Sequence, residues 1–204
     1  MARKRGKRKL KPVYAIIGDG LTEKIYFDEL KRIEEIKNVQ IKPELPVGKG
    51  DFRETFEKTD ELLDQDLDKV YIVIDKDDIV TKNLMNEYIQ TLKDKQKEIK
   101  SGELVIIECN PCFEIWFLLH YTYTTKRFRR CSGLEKELKN YISDYSKKQD
   151  YLKRSKLYST LKPNLFDTAV PNSKKLFKKA QSNSAGNRFP TCRVHKIISD
   201  LKIK

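Results

Sequence analysis

The chain predicts an α/β fold, a four-stranded and mainly parallel sheet flanked by helices, with a basic helical extension at its C-terminal end. Three observations carry that expectation. The runs Val13–Ile17, Val70–Ile74 and Leu104–Ile107 are apolar at every position, as strands buried on both faces are. Segments with apolar residues at helical spacing separate these runs, and strands alternating with helices build right-handed βαβ units. Beyond residue 126 the sequence becomes basic and helical in pattern. It holds too few apolar side chains there for an independent core, so these helices are expected to pack on the sheet.

The first strand is expected over residues 12–18 and ends at Gly18-Asp19-Gly20-Leu21-Thr22-Glu23. Two glycines allow a tight strand-to-helix turn, and Thr22 is a suitable N-cap for a helix over 22–36 that carries Ile25, Tyr26, Phe27, Leu30 and Ile33. A weaker strand, Val39 to Leu45, precedes the turn Gly48-Lys49-Gly50. Asp51 then caps a helix bearing Phe52, Phe56, Leu62, Leu63 and Leu67. The Val70–Ile74 strand runs into Asp75-Lys76-Asp77, and a helix through Leu84, Met85, Tyr88, Ile89 and Leu92 leads to Leu104–Ile107. Asn110 is expected to cap a further helix with Pro111 at its first position, where proline fits best. Glu114 lies in the second turn of that helix among Phe113, Ile115, Trp116 and Phe117, either as a further acid of the site or as the partner of an arginine. Helices over Leu134–Tyr145, Lys148–Leu161, Asn172–Ser182 and Arg193–Ile203 complete the chain, with a loop at Asn183–Asn187. The organisation expected is a basic arm over 1–11, a domain over 12–125, and a helical region over 126–204 packed on it.

Net charge is +13, from 43 lysines and arginines against 30 acids. Such an excess favours polyanionic partners, nucleic acid first. A lysine-rich surface without a polyanion is the competing reading. Cys109, Cys112, Cys131 and Cys192 lack the second pair that a zinc module needs, and only His120 and His195 are at hand, so four reduced, intracellular thiols are expected. No apolar run reaches membrane-spanning length and the basic start lacks a secretory core, so the protein is expected in the cytoplasm. Gly48-Lys49-Gly50 lacks the spacing of a P-loop, which leaves any ATP dependence to another chain.

In an open parallel sheet, ligands bind beyond the carboxyl ends of the strands. Asp75 and Asp77 lie at such an end, and residues two apart on an extended chain point the same way, so they can converge on one cation. Asp19 sits at the tip of the first strand and Glu23 in the first turn of the next helix. Together these acids suit a Mg²⁺ or Mn²⁺ site built from oxygen ligands. Glu23 also suits the helix dipole, which would need no metal.

With its parts in this order the chain resembles the RloB-like family, proteins with a Toprim-type domain found beside restriction and phage-defence genes. The resemblance rests on the basic start, on Ile16 to Phe27, on Ile74-Asp75-Lys76-Asp77 and, most specifically, on Asn110 to His120. It covers residues 10–125 well and thins beyond, where Asn187, Pro190, Thr191 and the closing helix carry it. It implies a Toprim-like four-stranded sheet whose acids hold Mg²⁺ or Mn²⁺, as in topoisomerases, primases and nucleases. No tyrosine-bearing topoisomerase domain or primase zinc module is evident, which leaves a metal-dependent nuclease acting on RNA or DNA, an effector of phage defence. Asp75 and Asp77 would hold the cation, with Asp19 and Glu23 completing that site or a second, Glu23 as the general base and Glu114 as an outer ligand. Lys24, Lys76 and His120 near the acids, and Lys174, Lys175, Lys178, Lys179, Arg188, Arg193 and His195 in the basic region, are the groups expected to meet phosphates. The family's first acid is usually glutamate, and here it is Asp19. That departure leaves open a catalytically weak nucleic-acid-binding or regulatory partner of an ATPase encoded nearby. An Asp-x-Asp phosphatase is the other alternative, although Asp78 follows where threonine or valine is usual.

Overall fold

Why the strands read as unbroken apolar runs is visible in the sheet they form. The computed structural model describes residues 12–42, 52–63, 67–98, 103–182 and 190–203. Strands β1 (Tyr14–Gly18), β2 (Val39–Lys42), β3 (Lys69–Asp75) and β4 (Glu103–Cys109) form one sheet in the order β2-β1-β3-β4, with every pairing parallel. Alternate residues of the central strands serve opposite cores. Ile16, Tyr71 and Val73 face α1 (Leu21–Ile33) and the C-terminal helices, whereas Ala15, Ile17, Val70, Ile72 and Ile74 face α2 (Phe52–Leu63) and its neighbours. With both faces covered, the central positions of β1 and β3 are apolar, and polar residues are left to strand ends and to the edge strands β2 and β4. The arrangement matches the Toprim-like architecture expected.

The connections are α3 (Asp77–Thr81) and α4 (Met85–Glu98) between β3 and β4, then α5 (Glu114–Leu118) after β4. The C-terminal region contributes α6 (Cys131–Leu138), α7 (Gln149–Ser155), α8 (Leu157–Leu161), α9 (Val170–Gln181) and α10 (Val194–Asp200). Their apolar residues, among them Leu134, Leu138, Tyr145, Leu161 and Ile197, join the same core cluster as Tyr26, Phe27 and Trp116. Polar joints help to fix this region. Buried Glu29 of α1 accepts from the Tyr158 N–H at 2.9 Å and the Ser159 hydroxyl at 2.8 Å. Thr191 forms an antiparallel bridge with Asn110, and Arg193 donates to the Ile106 carbonyl at 2.6 Å.

Several expected boundaries differ, each for a local reason. Helix α1 begins at Leu21 with Gly20 as N-cap, and Thr22 is buried inside the first turn. Asn110 does not cap a helix. Its main chain is committed to Thr191 through N–H···O contacts of 2.8 and 3.1 Å, so α5 starts only at Glu114. The helix expected over Leu134–Tyr145 stops at Leu138, and that expected over Lys148–Leu161 breaks at Lys156, whose φ of 46° is left-handed. Turns of 3₁₀ type (Lys162–Asn164) and π type (Leu165–Ala169) lie where no helix was expected. The basic arm, Gly48-Lys49-Gly50, Asp51, the Asn183–Asn187 loop and Arg188 lie outside the described residues.

Candidate metal centre

Asp19, Glu23 and Asp75 each offer a carboxylate oxygen within 4.8 Å of the other two. The sheet explains this meeting. β1 and β3 are adjacent and in register to Gly18↔Val73, so Asp19 and Asp75 leave the same edge side by side. The Asp75 N–H donates to Oδ2 of Asp19 at 3.1 Å, and Oδ1 of Asp75 accepts the Phe113 N–H at 2.7 Å. Both acids are therefore aimed by main-chain groups of neighbouring segments.

Glu23 reaches them only because two glycines make room. A Cβ on Gly18 would lie 2.5 Å from Cβ of Glu23, and one on Gly20 would lie 2.7 Å from its Oε2. The glycines thus serve close approach as well as the turn. Glu23 is 2% exposed.

Asp77 does not join the three-acid group. Lys76 is right-handed helical, with φ −91° and ψ −7°, so the chain has turned before Asp77 and the same-side rule for an extended strand fails there. Oδ2 of Asp77 instead accepts the Cys131 N–H at 2.8 Å at the start of α6, while Oδ1 is buried with no hydrogen-bond partner among the described residues. Asp77 still lines the cavity that holds the three acids, about 390 Å³ in volume.

Glu114 is fully buried, and its partner is a lysine, not an arginine. Nζ of Lys147 lies 3.1 Å from its Oε1, which also accepts the Tyr145 hydroxyl at 2.8 Å. The Cys131 sulfur lies 3.2 Å from Oε2 and 3.1 Å from the Lys147 ammonium. That sulfur is bonded to Cys112. The expectation of four reduced thiols therefore needs correction: α6 docks Cys131 at a Cα–Cα distance of 5.7 Å from Cys112, inside the range that permits a disulfide. Cys109 and Cys192 are free and buried, with sulfurs 3.2 Å apart.

The electrostatics of the group are those of crowded acids. Burial, opposed by the Asp75 N–H, pushes the Asp19 carboxyl up to about 6. Burial and then the charges of Asp19 and Glu114 raise Glu23 well above the carboxylate range, and burial with Asp19 and Glu23 does the same to Asp75. Burial alone would lower the Lys147 ammonium, but Glu114, Asp75 and Glu23 raise it. Asp19, Glu23, Asp75 and Glu114 thus all draw on Lys147, which also pairs with Glu135 at 3.7 Å and whose side chain is 38% exposed. Crowded oxygen donors short of positive charge fit a hard divalent cation such as Mg²⁺ or Mn²⁺. Cys112, Glu114 and Cys131 also converge, but two sulfurs bonded to each other are not the thiolates a metal takes.

The expected phosphate contacts divide. Lys174, Lys175, Lys178 and Lys179 are exposed along α9. Lys24 pairs with Asp28. Lys76 is 4% exposed beside Glu108, at 3.5 Å, and the ring of Tyr88. Arg193 is spent on the Ile106 carbonyl and the ring of Phe177. His120 is buried with Nδ1 on the Trp116 carbonyl, and burial lowers it to about 4, so it is neutral and shielded from a substrate. Buried His195 meets Ser173 instead, at 2.7 Å. Lys147 was missed by the sequence reading. It stands in a polar, lysine-rich stretch, and only the fold brings it back to Glu114.

A parallel α/β sheet with clustered acids at the carboxyl ends of adjacent strands defines the class of protein. The chain belongs to the RloB-like protein family, whose model matches residues 14–201 and so includes the C-terminal helices. No curated protein and no solved structure matches the chain. Among the described residues, no helix is long and apolar enough to cross a membrane.

Proposed function

We propose that the protein is a Toprim-type nuclease that hydrolyses phosphodiester bonds of RNA or DNA with Mg²⁺ or Mn²⁺, as an effector of phage defence. The observation that carries this reading is the convergence of Asp19, Glu23 and Asp75 within 4.8 Å at the carboxyl edge of a parallel sheet. These three residues would hold the cation, with Asp77 lining the same cavity and its buried Oδ1 lacking a hydrogen-bond partner among the described residues. When bound, the cation supplies an acidified water and positive charge for the phosphate. The remaining work belongs to the chain's own residues. Asp19 and Glu23, whose carboxyls burial raises above their ordinary values and so makes more basic, are the candidate acceptors of a proton from a water. Asp75, held by the Phe113 N–H, keeps the donor set in place. The Lys147 ammonium and Lys82 line the same cavity and supply charge for a phosphate oxygen.

The alternative of a phosphatase finds less support, because the second aspartate of its motif would have to act as an acid, and Oδ2 of Asp77 is engaged by α6. The decisive experiment incubates the full chain with RNA and DNA oligonucleotides and Mn²⁺, beside folded Asp75→Asn. Cleavage by the first and at least a hundredfold less by the second is expected. Equal cleavage by both would remove the acid group from the chemistry, and absence of cleavage on every substrate would favour the binding-only alternative.

A further inference from the structure

The cavity that holds the acids is lined by apolar side chains as well as charged ones. Leu21, Phe52, Ile79 and Leu84 line the same space as Asp19, Glu23, Asp75 and Lys147, with Asp78, Lys82 and Glu135 also on its wall, and Phe52, Ile79 and Leu84 belong to one apolar cluster. A phosphodiester needs only the charged groups. An apolar wall beside them has no task toward a duplex backbone, whose bases are turned inward and stacked. The wall is also braced for contact: Phe52 packs edge-on against Tyr88, with ring centroids 5.4 Å apart, in the cluster that holds Phe56 and Ile79. Its volume of about 390 Å³ lies at the small-ligand end of binding cavities, which run from about 300 to 1,000 Å³. That suits one nucleotide and not a helix.

We infer that this cavity takes a single unstacked nucleotide, with its base against Leu21, Phe52, Ile79 and Leu84 and its phosphate toward the acids, so that the substrate class is single-stranded or locally unpaired nucleic acid. The inference rests on the nuclease reading for the placement of the phosphate, and it adds which form of the polymer enters. Unstacking a base from a duplex costs a few kcal/mol, so the apolar wall selects strands in which that cost is already met. A base stacked or packed on such a wall adds affinity with little regard to its identity.

Binding separates this inference from catalysis. The full chain is titrated, with Ca²⁺ in place of Mn²⁺, against a fluorescent single-stranded 12-mer, the same strand in a blunt duplex, and the strand with one central abasic position. The single strand is expected to bind about tenfold tighter than the duplex. Leu84→Trp, which fills the cavity beside Phe52 and Ile79 from a half-buried position, is expected to bring single-strand affinity down to that of the duplex, in a protein whose melting curve shows it folded. Leu84→Ala, which keeps the cavity open but removes one apolar contact, is expected to reduce the preference without erasing it. Equal affinity for both forms, or a folded Leu84→Trp protein that keeps the preference, overturns the inference even if the protein cuts with Mn²⁺. A preference lost in Leu84→Trp upholds it even if no substrate is cut, in which case the nuclease reading alone fails.

Discussion

The main-chain N–H of Asp75 donates to Oδ2 of Asp19 at 3.1 Å, so two acids that repel each other in charge are joined by the backbone of one of them. The tie fixes the distance between the tips of β1 and β3, but it does not neutralise either carboxylate. Burial holds Asp19 up to about 6, above its ordinary value. A raised acid stabilises the fold while protonated, and that contribution is present below the unfolded value near 4 and lost as pH rises through about 6. His120 and His195, both held near 4 by burial, act with opposite sign over the same interval. Comparison with Asp19→Asn, in which Glu23, Asp75, Glu114 and Lys147 still face the position, isolates the acid. In metal-free buffer Asp19→Asn is expected to be more stable than the parent at pH 7 by about 1–3 kcal/mol, and the difference is expected to close by pH 4. Chemical denaturation across that range measures it.

Asp77 has two jobs that substitution can separate. Its Oδ2 anchors α6 at the Cys131 N–H, at 2.8 Å, and its Oδ1 faces no partner among the described residues. Asp77→Asn retains an acceptor for α6 and loses the charge. It should keep thermal stability within about 0.5 kcal/mol and, on the proposed metal site, be stabilised less by added Mn²⁺ than the parent. Asp77→Ala loses both and should fall by about 1 kcal/mol, as when a helix cap is removed. Melting curves with and without Mn²⁺ distinguish the two.

This division also marks where the sequence was legible. The buried strands announced themselves because a sheet covered on both faces admits only apolar residues, and Val70–Ile74 has no others. Asp19, Glu23 and Asp75 were legible because a parallel sheet places its strand ends together. Asp77 was misplaced because nothing local to Asp75-Lys76-Asp77 says that Lys76 turns helical. The Asn110-Pro111 pair reads as a helix start by local chemistry alone. Its pairing with Thr191, 81 residues away by number, is tertiary and overrides that preference. Lys147, Tyr145 and Cys131 come to Glu114 by the same kind of distant docking.

Gly18 and Gly20 offer a test of how closely Glu23 must approach. An added Cβ at Gly18 meets Cβ of Glu23 at 2.5 Å, an atom that cannot move without shifting α1. Gly18→Ala should therefore destabilise the fold by about 1–3 kcal/mol. At Gly20 the clash is with Oε2 at 2.7 Å, the far end of a side chain that can rotate away. Gly20→Ala should melt near the parent temperature yet lose most Mn²⁺-dependent stabilisation, because the displaced carboxylate leaves the group. Equal loss of stability in both variants would contradict this account.

Lys147 carries the strongest test of the site's charge balance. Glu114 is fully buried, so removing its cation leaves a carboxylate supported, among the described residues, by the Tyr145 hydroxyl alone. Lys147→Met is expected to cost about 2–4 kcal/mol, toward the low side because the lysine side chain is 38% exposed. Adding Glu114→Gln removes the stranded charge while keeping an acceptor for Tyr145, and should restore most of the stability. The double variant then asks what else the lysine does. If its ammonium serves only Glu114, cleavage recovers together with stability. If it also meets the substrate phosphate, the stable double variant remains at least tenfold slower, and its oligonucleotide binding falls off less steeply with salt, as the loss of one phosphate contact requires. Denaturation midpoints, cleavage rates and the salt dependence of binding on the same preparations decide between the two.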